Sequence, residues 1–321
     1  MVHGGGHIML SRKDIRPRQT AHLHSLGFLP ISIDYRLCPE SPLIDGPMRD
    51  VCDAITWARK TLHTIPLGCQ GLKIDPSRVV LVGWSTGGHL AMTTAYTTIE
   101  RGLETPDAIL AFYCATDFED PFWSHPNYPE NSEALSRQPY NLLEGVQKHP
   151  ITAYNVPSSA RAVGGWMAPQ DPRSRIVLHM NWKGQFMPVL LRGLPHADSV
   201  SESEAQALLC QPQPPLEDIQ RASPYAQIKN GNYHTPTFII HGTEDDLIPW
   251  TQSVRTIEAL KAQGVRADIA TPRGKFHLFD MYRDPDGSSW EVVRKGYEFL
   301  VDVISERSNL HPYKQRWVGR A

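Results

Sequence analysis

The stretch VVLVGWSTGGHLAMTTAYTTIERG, residues 79–102, limits the possible folds more than any other part of this chain. An apolar run of buried-strand character passes directly into Gly-Trp-Ser-Thr-Gly, and a segment of helical composition follows with no linker. A junction of that kind turns the chain back on itself within a few residues. Gly83 and Gly87 keep the flanks small enough for the tight turn, which lifts the Ser85 hydroxyl clear of the sheet edge. The same turn aims the Thr86 N–H and the start of the helix at negative charge forming beside that hydroxyl. Ser85 is therefore a candidate nucleophile. Gly-x-Ser-x-Gly also occurs in plain turns, but a strand before it and a helix after it favour the catalytic reading.

The same alternation of strand and helix surrounds this junction. FLPISIDY (28–35) and AILAFYCAT (108–116) read as further strands. Residues 46–62 read as a helix with Val51, Ile55, Ala58 and Leu62 on one face and Pro47 in its first turn. The helix after Ser85 is expected to end near Gly102. This grammar belongs to a parallel sheet covered on both faces. Between about 117 and 235 the rhythm gives way to stretches rich in Pro, Asn and aromatic residues, such as DPFWSHPNYPE and CQPQPP. It returns with a strand in TPTFII, a helix stopped by Gly264, a strand in RADIATP and a last helix. For that helix the spacing predicts a capping box of Ser288 and Glu291 and an apolar face of Val293, Tyr297, Leu300, Val301 and Ile304. The expected organisation is a core in two parts, 1–116 and 236–306, an inserted cap or lid at 117–235, and a tail at 307–321.

Composition narrows the function classes. The 321 residues carry a formal charge of −2 and are 40% hydrophobic and 21% charged, a balance that gives no basic surface for nucleic acid. No apolar run reaches the roughly 18 residues of a membrane span, and no secretory signal opens the chain, so the expected placement is cytoplasmic. Five cysteines, Cys38, Cys52, Cys69, Cys114 and Cys210, are odd in number and lack C-x-x-C spacing, which argues for packing thiols rather than disulfides or a zinc site. Without a metal motif or a phosphate-cradling loop, no cofactor is expected.

Serine is a weak nucleophile at neutral pH and needs a base, which in turn needs an orienting acid. After an elbow of this type the acid and then the histidine follow in chain order. HGTEDDLIP (241–249) supplies carboxylates after a strand, and Asp245, three residues past Gly242 and four before Pro249, is the expected acid with Asp246 as its rival. RGKFHLF supplies His277, the histidine that lies after the acid and before the last core helix. His241 is expected to brace a turn and His89 to be structural; His179, His196 and His234 fall in or at the edge of the insert. His-Gly-Gly-Gly at 3–6 lets bare backbone approach a substrate, so Gly5 and Gly6, with Gly4 next, join Thr86 as expected oxyanion donors, while His3 fixes the loop. In the insert, Trp123, Trp166, Trp182 and Phe186 are candidates for a flat apolar pocket, with ordinary packing as the competing role.

HGGG at 3–6, DYRLCPE at 34–40, GWSTGGHLAM at 83–92 and HGTEDDLIP at 241–249 together resemble the α/β-hydrolase fold, the first three its hormone-sensitive-lipase-like branch. The wording is more similar still to the carboxy-terminal thioesterase domain of methylating non-reducing fungal polyketide synthases, over residues 1 to about 305. The resemblance implies a mostly parallel sheet with an inserted cap, Ser85, Asp245 and His277 as triad, and Gly5, Gly6 and Thr86 as oxyanion hole. It implies release of an aromatic polyketide through an acyl-serine intermediate, with the acyl substrate presented by an acyl carrier protein, and neither a nucleic acid nor a membrane as partner. It also implies that the first two strands of the fold, and nearly all of a third between 28–35 and 79–85, are missing before Met1. Unpaired buried groups along such a gap cost about 1–3 kcal/mol each. The expectation is a truncated gene model or an excised domain, unless another segment fills the slot. A free-standing carboxylesterase acting on small esters and a non-catalytic ligand-binding relative are the alternatives left open by the sequence.

Overall fold

The computed structural model describes residues 1–68, 73–127, 141–158, 168–282, 284 and 286–310. Four parallel strands, β1 (Val80–Trp84), β2 (Ala108–Phe112), β3 (Thr237–Ile240) and β4 (Ala267–Ala270), lie side by side in chain order. The helices are α1 (Pro17–Ser25), α2 (Arg49–Lys60), α3 (Thr86–Glu100), α4 (Pro172–Trp182), α5 (Phe186–Arg192), α6 (Glu202–Ala207), α7 (Leu216–Ala222), α8 (Pro224–Lys229), α9 (Trp250–Ala262) and α10 (Ser288–Leu310). Helices α4 to α8 form the insert between β2 and β3, and the whole is an α/β-hydrolase fold. No helix of the described residues is long and apolar enough to cross a membrane.

Side chains alternate across a strand, so each strand feeds two cores. Leu81, Ile109, Ala111 and Ile239 pack on the side of α2, α3 and α9. Val82, Trp84, Leu110, Phe112, Phe238 and Ile240 pack on the opposite side, against Leu23 of α1 and Val293, Tyr297, Leu300 and Val303 of α10. The middle of the sheet is covered on both faces, which is why β2 reads as an unbroken apolar run. Helix α3 is buried from Thr86 to Thr98, because the sheet lies on one side and α2 and α8 on the other.

Several expectations need correction. Residues 28–35 form no strand: Ile33 makes a single bridge to Val2, and Val2 makes a second to Gly83. Val2 thus lies between the segment at 33 and β1, with its N–H on the Val82 carbonyl at 2.8 Å and its carbonyl accepting from Trp84 at 3.3 Å. Pairing over one or two residues is too short to make a ladder, so the preceding segment stays irregular. Helix α2 starts at Arg49, because Pro47 lies in a wider turn at Ile44–Met48. The first amides of α10 bond to other partners than the expected capping box: Asp286 accepts from Ser288, and Asp284 accepts from Ser289 and Trp290. On α10 it is Val303, rather than Val301 or Ile304, that completes the buried face.

The insert is tied to the core by a buried ion pair. Arg173 of α4 donates through Nε to the Ile8 carbonyl, through Nη1 to Glu40 and the Gly145 carbonyl, and through Nη2 to Glu40 and the Cys38 carbonyl. Every one of its N–H groups has an acceptor, as an arginine with 0% side-chain exposure requires.

Candidate active site

Ser85 occupies the turn between β1 and α3 with φ 54° and ψ −125°, a strained conformation for a residue with a side chain. The turn holds because its flanks have no side chains. A Cβ on Gly83 would lie 2.1 Å from the Gly87 carbonyl oxygen, and one on Gly87 would lie 2.2 Å from that of Val2 and 2.4 Å from that of His3. The spacing Gly-x-Ser-x-Gly is thus a packing requirement that also seats the amino-terminal segment on the nucleophile helix.

Asp245 and His277 lie on the loops after β3 and β4; His277 meets Ser85, and Asp245 meets His277 from behind. His277 Nδ1 is 2.7 Å from Asp245 Oδ2, and His277 Nε2 is 3.0 Å from Ser85 Oγ. An ionised carboxylate only accepts, so Nδ1 carries the proton and Nε2 is free to accept from the Ser85 hydroxyl. Asp245 Oδ1 accepts from the amides of Leu247 and Ile248 at 2.9 and 2.8 Å. Burial pushes this carboxyl up, but His277 and then His241 outweigh it and hold it well below the usual carboxylate range. The rival Asp246 is exposed.

His241 does more than brace a turn. Its Nε2 faces Asp245 Oδ2 and the Ile248 carbonyl, both at 3.1 Å, and its Nδ1 lies 2.7 Å from Ser253 Oγ. The carboxylate therefore bears two serine–histidine pairs. Ser253 is fully buried inside α9 and lines no part of the cavity at Ser85, so of the two pairs only the one made by His277 and Ser85 faces that cavity.

The glycine loop stands against the elbow. Gly5 at φ 107° and Gly6 at φ 67° need the freedom of glycine, and the N–H groups of Gly5, Gly6 and Thr86 have no acceptor among the described residues. Tyr35 of the DYRLCPE segment donates its hydroxyl to the His3 carbonyl at 3.0 Å, and its ring stacks on that of His3 at 4.3 Å. The His7 amide bonds to Thr86 Oγ1 at 3.3 Å. His89 Nε2 donates to the Ala222 carbonyl at 2.7 Å, so its Nδ1 accepts from His7 Nε2 at 3.0 Å. Burial pushes His3 and His89 down to about 4, and His7 further, so this chain of contacts from loop to insert is uncharged. His89 is structural, as expected.

A cavity of about 250 Å³ opens at Ser85. Gly5, Gly6, Thr86 and His277 border it, and Leu10, Phe118, Trp123, Val177, Phe186 and Leu247 supply much of its apolar wall. Trp123 is fixed by a 2.7 Å bond from its indole N–H to the Asp117 carbonyl and by an edge contact with Phe186 at 4.7 Å. Packing and lining are thus the same role for these two. Trp182 is buried but lies off the cavity; its neighbour Asn181, turned by about 100° on the helix, lines it instead. Trp166 lies outside the described residues.

Other polar neighbours of the cavity carried no motif. Arg16 lines the cavity, and its Nε donates to Asp280 at 3.1 Å. Asp280 also accepts from Gln19 and from the Tyr113 hydroxyl, both at 2.6 Å, and the Tyr113 ring meets His277 edge-on at 4.7 Å. A polar residue three positions past the expected histidine was a usable signal for Asp280; nothing local marked Arg16.

A family model described as the alpha/beta hydrolase fold matches residues 1–146, and one described as the prolyl oligopeptidase family matches residues 198–307. The chain is 68% identical over 315 residues to the non-reducing polyketide synthase pkbA of Emericella nidulans, and 54% identical over 305 residues to the 5-methylorsellinic acid synthase of Aspergillus terreus. The alignments cover 95% and 94% of this chain but only 12% of either relative's length. A carboxyl esterase from Tuber melanosporum shares the fold at a TM-score of 0.55 and 18% identity, over 93% of this chain and 75% of that one. With a serine, histidine and aspartate joined beside an apolar cavity, this chain is a serine hydrolase acting on ester or thioester bonds, an α/β-hydrolase-fold domain that closely matches a segment of fungal non-reducing polyketide synthases.

Proposed function

We propose that the chain is a thioesterase-type acyl transferase, and that its substrate is an aromatic polyketide held as a thioester on an acyl carrier protein. The observation that carries the chemistry is the Ser85 Oγ–His277 Nε2 distance of 3.0 Å with Asp245 at 2.7 Å behind it. The observation that carries the substrate class is the 68% identity to a non-reducing polyketide synthase across nearly the whole chain.

In this reading Ser85 Oγ attacks the thioester carbonyl carbon while its proton passes to His277 Nε2. Asp245 remains ionised and stabilises the imidazolium. The carbonyl oxygen becomes the oxyanion and takes hydrogen bonds from the amides of Gly5, Gly6 and Thr86, which stand ready before the charge forms. Collapse breaks the C–S bond, and His277 returns its proton to the leaving thiolate. The acyl-serine then passes to water, or to a nucleophile within the acyl chain, with His277 as base again. Residues 117–235 act as the cap, with Trp123 and Phe186 against the acyl group.

The test is labelling by a fluorophosphonate probe, with Ser85→Ala as control, followed by comparison of a benzoyl thioester with a short-chain p-nitrophenyl ester. Labelling at Ser85 and preference for the aryl thioester support the proposal. Folded protein that does not label removes the mechanism, and preference for the short ester removes the substrate class.

A further inference from the structure

Arg16 and Arg173 are both buried, yet they use their donors differently. A guanidinium has five N–H groups. Arg173 places all five on protein acceptors. Arg16, 8% exposed, bonds through Nε to Asp280 at 3.1 Å, through Nη2 to the Tyr113 hydroxyl at 3.0 Å, and through Nη1 to the Asp14 carbonyl at 3.5 Å. Two of its N–H groups therefore have no acceptor among the described residues. Buried donors are seldom left so, and Arg16 is in the wall of the cavity that holds Ser85 and His277.

Its counter-ion leaves the guanidinium able to act outward. Asp280 meets Arg16 through one oxygen at Nε rather than through a two-toothed pair, and it divides its lone pairs with Gln19 and Tyr113. The position is held firmly: Arg16 precedes Pro17 at the start of α1, and its Cζ lies 5.5 Å from the Trp84 ring. Through Tyr113, whose ring touches His277, the guanidinium is placed on the histidine side of the nucleophile.

We propose that Arg16 is a specificity residue that receives a second oxygen of the acyl group, a ring hydroxyl or ketone beside the reacting carbonyl, an inference that rests on the acyl-transfer reading above. Most of the cavity wall is apolar, so a hydrocarbon acyl group would fill it and leave the two N–H groups without partners. An acyl group of the same shape carrying an oxygen acceptor satisfies them. Hydrogen bonds to a charged donor are worth enough to change affinity about tenfold to a hundredfold.

The experiment compares N-ethyl-2-hydroxybenzamide with N-ethylbenzamide, neither of which is turned over, by calorimetric titration of the Ser85→Ala protein with and without Arg16→Gln. The parallel measurement is the ratio of kcat/KM for the 2-hydroxybenzoyl and benzoyl ethyl thioesters in wild type and Arg16→Gln. The expected result is a preference for the hydroxylated compound of about tenfold or more that falls to near unity in the variant, in both measurements. No preference in the unsubstituted background, or equal losses for both compounds, overturns the proposal, the second because it marks a purely structural role through Tyr113 and Asp280. Circular dichroism checks folding. If Arg16→Gln is unfolded, Arg16→Lys, which keeps the charge and loses the fork, gives the same comparison. Failure of fluorophosphonate labelling with the binding preference intact strikes the hydrolase reading and leaves this one; labelling without the preference does the reverse.

Discussion

Lowering the pH from 7 to 5 should unfold this protein or bring it close to unfolding, well above the range in which carboxylates titrate. His3, His89 and His179 are each lowered from 6.5 to about 4 by burial, and His7 is lowered further by burial and by His89. Because each folded-state value lies below the ordinary one, the unfolded chain binds more protons between pH 6.5 and about 4. Stability is full above that window and is lost as pH falls through it. For one histidine with these two values the loss at pH 5 is about 2 kcal/mol, and for the three together about 6 kcal/mol. A domain of ordinary stability has about 5–15 kcal/mol in total, so the effect is decisive rather than marginal. The assay is a guanidinium unfolding curve at each half pH unit from 7.5 to 4.5, with the slope of stability against pH read as protons taken up. His89→Gln should remove about one proton from that slope, since a glutamine there has no charge to acquire. A midpoint constant from pH 7 to 5 would refute the reasoning, for it would mean that these imidazoles are solvated or already charged in the folded protein.

The remaining expectations concern turnover. Asp245→Asn keeps the side-chain shape but offers His277 Nδ1 an amide, which favours the wrong tautomer; kcat should fall by about a thousandfold or more with KM little changed. Stopped assays on the benzoyl thioester measure it, and a fall of less than tenfold would show that the carboxylate does not orient the base. Gly4→Ala adds a Cβ 2.8 Å from the Trp84 carbonyl oxygen and 3.1 Å from Ser85 Cβ, displacing the glycine loop by several tenths of an ångström. A misplacement on that scale should lower kcat about tenfold to a hundredfold in folded protein, and fluorophosphonate labelling should slow in step.

Much of the site was legible because its chemistry forces local sequence. An elbow needs glycines at fixed spacing, and Gly83 and Gly87 prove to be sterically obligatory. The order of serine, acid and histidine follows from strand order, and Asp245 and His277 arrive where that order puts them. What escaped the sequence depends on contacts between distant segments. Arg16 meets Asp280 across 264 residues, and no spacing rule links them. The second histidine on Asp245 looked like a turn residue because its partner Ser253 lies one helix further on. Residues 28–35 have the apolar composition of a strand, but strand formation also needs a neighbour of matching length, and here the pairing is one bridge of Ile33 to Val2, made by hydrogen bonds between Met1 and both Ile31 and Ile33. Trp182 shows the limit of composition alone: an aromatic in the right segment, on a helix face one position away from the cavity.

Gly87 rests on the carbonyls of Val2 and His3, and the His7 amide holds Thr86 in the next turn. In the proposed mechanism the attacking hydroxyl and the amides that receive the oxyanion are therefore parts of one packed block rather than two surfaces brought together by the rest of the fold. The insert is fastened to the same block, by Arg173 on the Ile8 carbonyl and by His89 on the Ala222 carbonyl, so side chains of the cavity wall can change while these backbone contacts hold hydroxyl and loop in place. Evolution of new acyl specificity in this scaffold can thus rebuild the walls without re-tuning the reacting centre.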